Sequence, residues 1–366
     1  MDNNAALEKF NNWLGAMGAL HASDLHLKVG SPPIFRVNTI PQKLKDDPLS
    51  NELLLQIRDA LFNDNQKQQY ARDGAADFSY SLSGKGRFRL NVFQQRGACS
   101  LVARRVPFDV PAMETLGLPA GVSHILDYDT GIVLVVGMTG SGKSTTLASI
   151  IEKINTTRRS HIITIEDPIE FLYSDKKSFV SQREIGFDAP DFATAMRSSL
   201  RQDPDIILVG EIRDYDTMAT ALTASETGHL VFGTLHATNV SQTIARVLDF
   251  FEGQQQKQAR ETLSNTLQAI MAQKLVPGAK PERPLVLVME LMLANPATRK
   301  YLSEGEDNKI QDCLRTMHKE GMQDFNMALL ELVKSGAITQ KIAFENSPNV
   351  EQLRMNLKGM TVSTAQ

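Results

Sequence analysis

The chain reads as an α/β protein, with a main domain built on a mostly parallel sheet and preceded by a small α+β domain. Three observations predict this. Beyond residue 130 short apolar runs alternate with helical periods, as in parallel sheets covered on both faces. The first of these runs, 132–136, leads into a glycine-rich turn, and Leu147, Ile150, Ile151 and Ile154 then recur at helical spacing. Before residue 107 the period is two, with Phe88, Leu90 and Val92 alternating with polar residues behind a Gly84-Lys85-Gly86 turn.

Composition sets the outer limits. At 366 residues, 42% hydrophobic and 22% charged, the chain has material for two cores. A net charge of −3 provides no excess of Lys and Arg to hold a polyanion, so no nucleic-acid partner is expected. The two cysteines, Cys99 and Cys313, are too few for a disulfide framework or a four-cysteine metal site, which suits a reducing cytoplasm. No apolar run approaches the roughly 18 residues of a membrane span, so the expected location is cytoplasmic or membrane-peripheral.

In chain order, residues 1–20 form an amphipathic helix with Leu7, Phe10, Leu14 and Met17 on one stripe. Alternating segments follow, 77–82 among them, and complete a first domain over 1–106. The stretch 107–119 holds Pro111 and Gly117, lacks a sustained period and reads as a linker. Residues 120–366 make the second domain, with strands at 132–136, 162–165, 206–209 and 230–235. From about 240 onward the chain reads as mostly helical, with one apolar run at 285–289.

The turn after the first strand is Gly137-Met138-Thr139-Gly140-Ser141-Gly142-Lys143-Ser144-Thr145. A phosphate-binding loop needs glycines that let backbone N–H groups turn inward, a Lys for the terminal phosphates and a hydroxyl for Mg²⁺. Gly137, Gly140, Gly142, Lys143 and Ser144 provide these, and Thr139, Ser141 and Thr145 complete the nucleotide-contacting set. ATP and Mg²⁺ are the expected ligands.

Hydrolysis also requires carboxylates where strands of the sheet end. The run Asp205-Ile206-Ile207-Leu208-Val209-Gly210-Glu211 is an apolar strand ending in an acid, and Glu211 is assigned, with Ser144, to the metal. A second strand runs into Glu166-Asp167-Pro168-Ile169-Glu170. Here Glu170 is the candidate base, and Glu166 and Asp167 are supporting acids. His229 and His236 flank the strand 230–235, and both are read as sensors that donate to a γ-phosphate or a catalytic carboxylate.

These runs, with Thr227-Gly228-His229 and Thr234-Leu235-His236, resemble the Walker A, Asp, Walker B and His boxes of the secretion ATPases. Ser23-Asp24-Leu25-His26-Leu27 and Gly321-Met322-Gln323 are similar to the branch that retracts type IV pili. The resemblance implies a PAS-like first domain, a RecA-like second domain and a cytoplasmic homohexamer docked on an inner-membrane pilus platform protein. It also implies that arginines of the first domain reach a neighbour's phosphates, and Arg89 and Arg104 are chosen from Arg87, Arg89, Arg96 and Arg104. In this chain Ala297-Thr298-Arg299-Lys300-Tyr301-Leu302-Ser303-Glu304 stands where the branch carries its retraction motif, retaining the first Arg and the last Glu. An accessory paralogue that works beside another retraction ATPase is the alternative. A nucleic-acid motor would share the core but would need a basic stripe interleaved with aromatics, and none is visible. A non-hydrolysing regulatory subunit would have no use for Glu170, Glu211 and the histidine pair.

Overall fold

The structure, a computed structural model, describes residues 3–107 and 109–358. Residues 1–2 of the expected first helix, Phe108 of the expected linker and 359–366 of the expected second domain lie outside the described residues. The chain divides into two compact units. One comprises Met1–Asp109 together with Pro168–Leu172, and the other Val110–Asp167 together with Tyr173–Gln366.

The N-terminal unit contains α1 (Asn3–Ala19), β1 (Ala22–Lys28), β2 (Ile34–Val37), β3 (Ile40–Lys43), α2 (Asn51–Leu61), α3 (Asp64–Asp73), β4 (Ala75–Leu82), β5 (Gly86–Gln95) and β6 (Ala98–Arg105). Its sheet is antiparallel throughout, in the order β3-β2-β1-β6-β5-β4. Phe10, Leu14 and Met17 of α1 are buried with Ala6 and Trp13, whereas Leu7 is only half-buried. The period-two pattern of β5 turns Phe88, Leu90 and Val92 into the core and leaves Arg89 exposed.

The second unit holds β7 (Gly131–Val136), α4 (Lys143–Thr157), β8 (His161–Glu166), β9 (Phe179–Glu184), α5 (Phe192–Ser199), β10 (Ile206–Val209), α6 (Tyr215–Glu226), β11 (Leu230–Leu235), α7 (Val240–Leu248) and α8 (Gln254–Thr266). It continues with β12 (Leu267–Lys280), β13 (Arg283–Leu293), α9 (Pro296–Glu304), α10 (Asp307–Thr316), α11 (Phe325–Lys334), α12 (Gln340–Asn346) and α13 (Val350–Leu357). Seven strands lie in the order β13-β12-β7-β11-β10-β8-β9. All neighbours are parallel except β12 and β13. Residues 132–136 are wholly buried, and each such side chain contributes about 1.5–3 kcal/mol relative to exposure.

Two features correct the sequence-based expectation. The region after 240 is not merely helical, because β12 and β13 form a long antiparallel hairpin whose first strand pairs with β7. Leu267-Gln268-Ala269-Ile270-Met271-Ala272 is rich in helix formers and lacks a period of two, and only pairing with neighbours makes it a strand. Strand β9 was likewise unforeseen, since Phe179-Val180-Ser181-Gln182-Arg183-Glu184 is too polar to read as a buried strand and sits at the edge of the sheet. Among the described residues no helix is long and apolar enough to cross a membrane.

Candidate active site

Strand β11 lies between β7 and β10, with Leu235 opposite Val136 and Gly233 opposite Val209. The segments that follow these strands therefore leave the sheet at one edge, side by side. The glycine-rich loop follows β7, His236 follows β11, and Glu211 lies two residues past β10. Thr234 Oγ1 donates to Gly210 O, and the Ile212 N–H donates to Thr234 O at 2.9 Å, so β10 and β11 stay joined up to the site.

The loop is shaped by its glycines. A Cβ on Gly137 would lie 2.4 Å from both the Gln273 carbonyl and Ser141 Oγ, so a side chain there requires the loop to move. Gly140 and Gly142 take φ of 79° and 88°, the left-handed region that favours glycine. Helix α4 begins at Lys143, placing Ser144 and Thr145 in its first turn with their N–H groups at the positive end of the helix dipole. Thr139 and Gly140 are exposed at the tip, Ser141 is buried, and Lys143 Nζ donates to Gly137 O at 2.8 Å. From β12, Gln273 Nε2 donates to Ser141 O at 2.8 Å. Gln273 is a support that local sequence reasoning missed, because its strand was missed.

Glu211 is the centre of the polar cluster. Oε1 lies 3.0 Å from His236 Nε2, and Oε2 accepts from Arg213. The Arg213 hydrogen bond and charge, with smaller electrostatic contributions from His236 and Lys143, hold the Glu211 carboxyl below its usual range despite burial. Arg213 is raised in turn, mainly by the Glu211 hydrogen bond, with a smaller contribution from Asp167. Its signal in the sequence was a basic residue two places past the strand-end acid. At the neighbouring strand end, Glu166 Oε1 accepts from Thr164 Oγ1 at 2.7 Å and from Gln182 Nε2 at 3.2 Å. Asp167 is exposed.

The remaining candidates are placed by other elements of the chain. His229 precedes β11, its carbonyl accepts from Gly131 N, and its Nδ1 lies 3.0 Å from Ala224 O. That is the opposite edge of the sheet, about 20 Å from the loop for a six-residue strand. His229 is therefore corrected out of the phosphate-sensing pair within one chain, and His236 alone stands at the loop edge. Glu170 is exposed and lies in Pro168–Leu172, the segment that packs with the N-terminal unit. In that unit Arg89 and Arg104 face each other across β5 and β6, both exposed, and Arg104 Nε donates to the buried Asp24 at 2.8 Å.

Comparison with known proteins agrees with this geometry. Residues 112–346 match the model of the type II/IV secretion system protein family. The type IV pilus retraction ATPase PilT of Pseudomonas aeruginosa is 42% identical over 89% of this chain and 94% of its own length. The type IV pilus ATPase PilU of the same organism is 36% identical over 96% of this chain and 91% of its own. A crystal structure of the pilus retraction motor PilT with bound ADP superposes with a TM-score of 0.82 at 42% identity, covering 94% of this chain and 98% of the other. With a phosphate loop and a strand-end glutamate at one sheet edge, and with relatives matched over nearly their whole length, the chain belongs to the type II/IV secretion system protein family, as one of its ATPases.

Proposed function

We propose that this ATPase is a homohexameric motor that powers type IV pilus retraction from the cytoplasmic side of the inner membrane, docked on the pilus platform protein. The observation that carries the hydrolytic part is Glu211, held between His236 and Arg213 at the edge where the phosphate loop leaves β7. The similarity to PilT along nearly its full length supports the retraction part.

The donor set suits Mg²⁺, a hard cation that favours oxygen ligands: the Ser144 hydroxyl and the ionised Glu211 carboxylate would hold it or its water shell. When bound, Mg²⁺ neutralises charge on the phosphate oxygens. Lys143 binds the terminal phosphates as a point charge. His236 relays between Glu211 and the γ-phosphate, Glu170 is the candidate for orienting water, and Glu166 and Asp167 support the acid cluster. Arg89 and Arg104 are the candidates for reaching a neighbouring subunit's nucleotide.

Arg213→Ala removes the strongest influence that keeps Glu211 ionised. The Glu211 pKa rises, so its carboxylate is protonated at a higher pH and the acid limb of the kcat profile moves toward neutrality. A kcat profile whose acid limb does not move would remove Arg213 from this role.

The reading as a whole is tested by light scattering and phosphate release on the purified chain, and by twitching in a strain lacking its retraction ATPase. A hexamer that hydrolyses Mg-ATP and restores twitching is expected. A monomer without turnover overturns it. The second reading, an accessory paralogue working beside another retraction ATPase, is favoured by the match to PilU over 96% of this chain. Turnover in vitro with twitching restored only alongside a second retraction ATPase would select it.

A further inference from the structure

Glu290 on β13 is 2% exposed and lies outside every motif named above. Its Oε1 accepts the Val240 N–H at 2.8 Å, and Val240 is the first residue of α7. The Phe325 N–H at the first residue of α11 and the Gln311 side chain of α10 also favour the charged form of Glu290. Gln311 Nε2 in turn lies 3.3 Å from Ser241 Oγ in α7. The N-terminus of α7 thus sits on a buried carboxylate, offering an N–H that has no partner inside its own helix. Burial pushes Glu290 above the usual carboxylate range, against the pull of these donors.

What the contact holds is the loop to His236. Only Ala237, Thr238 and Asn239 separate His236 from Val240, and the last two are tied to α7 through Gln242. A cavity of about 580 Å³, lined by Glu290, Lys274, Arg315, Asp324 and Asn239 among others, opens at this place. Val240 is itself fully buried in the apolar core, and the hydrogen bond to Glu290 adds a polar tether at that same residue beside the open cavity.

We infer that Glu290 is a positioning residue of the hydrolytic site, setting the place of His236 against Glu211 by anchoring the start of α7 to β13. The inference rests on the proposed role of the Glu211–His236 pair. It adds that β13, and α10 through the Gln311–Ser241 contact, have a polar hold on the helix that follows His236.

The test uses the full-length, assembled protein. Glu290→Asp keeps the charge but withdraws the carboxylate by one methylene, and Glu290→Gln keeps the reach. The Asp variant is expected to lose kcat by roughly tenfold, as for a small misplacement of a catalytic group, with KM for Mg-ATP within about twofold because the phosphate loop is untouched. The Gln variant should retain most of kcat. In a His236→Ala background Glu290→Asp should add no further loss, since both changes act on one link. Hydrogen exchange at residues 237–241 should quicken in the Asp variant and not in the Gln variant. Wild-type kcat in Glu290→Asp, or losses that multiply in the double variant, would overturn the inference while a His236→Ala defect left the site's reading standing. If His236→Ala hydrolyses ATP normally, the reading of the site falls, and the inference with it.

Discussion

Lys143→Ala is expected to lower ATP turnover by about 10³-fold, the largest effect of any single substitution in this chain. The lysine stands at the start of α4, where its ammonium group adds a full charge to the partial charge of the helix end. Gly137 O and Met138 O accept from its Nζ, so the group already lies over the loop that holds the phosphates. Alanine leaves the loop's glycines intact but removes the charge, so nucleotide affinity should fall with kcat. Phosphate release and binding of a fluorescent ADP analogue measure the two losses. Met138→Ala is the control, because that side chain is 65% exposed and should stay close to wild type. If Lys143→Ala kept a tenth of the turnover, the loop would not be the catalytic phosphate site.

Glu211→Ala should reduce hydrolysis by about 10²–10³-fold and leave nucleotide binding intact. The two effects separate because Glu211 sits near the cationic Arg213 and Lys143. Its removal leaves Arg213, His236 and Lys143 without their common carboxylate, a setting that favours a polyanionic nucleotide while depriving the reaction of its acid. An equilibrium measurement with ATP and a single-turnover measurement should therefore diverge, affinity being held or increased while the chemical step slows. Parallel loss of both would mean that Glu211 shapes the loop and takes no part in the chemistry.

How much of this was legible in the sequence depended on how local each signal was. The phosphate loop is defined by neighbours in the chain, and the strand-end position of Glu211 is visible because four apolar residues precede it. Histidine placement failed where direction mattered. His229 and His236 flank the same strand symmetrically in the sequence, but a strand has two ends, and in a parallel sheet only the carboxyl end faces the loop. That rule was available and would have separated them. Strand β12 was invisible for another reason: its residues favour a helix in isolation, and pairing with β7 and β13 overrides that preference. With the strand went its two contributions, Gln273 under the loop and the register that sets Glu290 opposite Ala272. Contacts such as Glu211 with Arg213, or Arg104 with Asp24 across 80 residues, exist only once the chain is folded.

The segment Pro168–Leu172 counts with the N-terminal unit although it is flanked on both sides by the ATPase unit, and its Ile169 is only 4% exposed. The polypeptide accordingly passes between the units three times, at Asp109 to Val110, Asp167 to Pro168 and Leu172 to Tyr173. In modular terms, neither unit is a cassette. Cutting at a single point near residue 109 would strip the first unit of five residues that belong to its fold, and grafting the second onto a different first unit would carry those five residues into a foreign surface. A chimera that replaces the first unit should therefore take both segments, Met1–Asp109 and Pro168–Leu172, from the same donor.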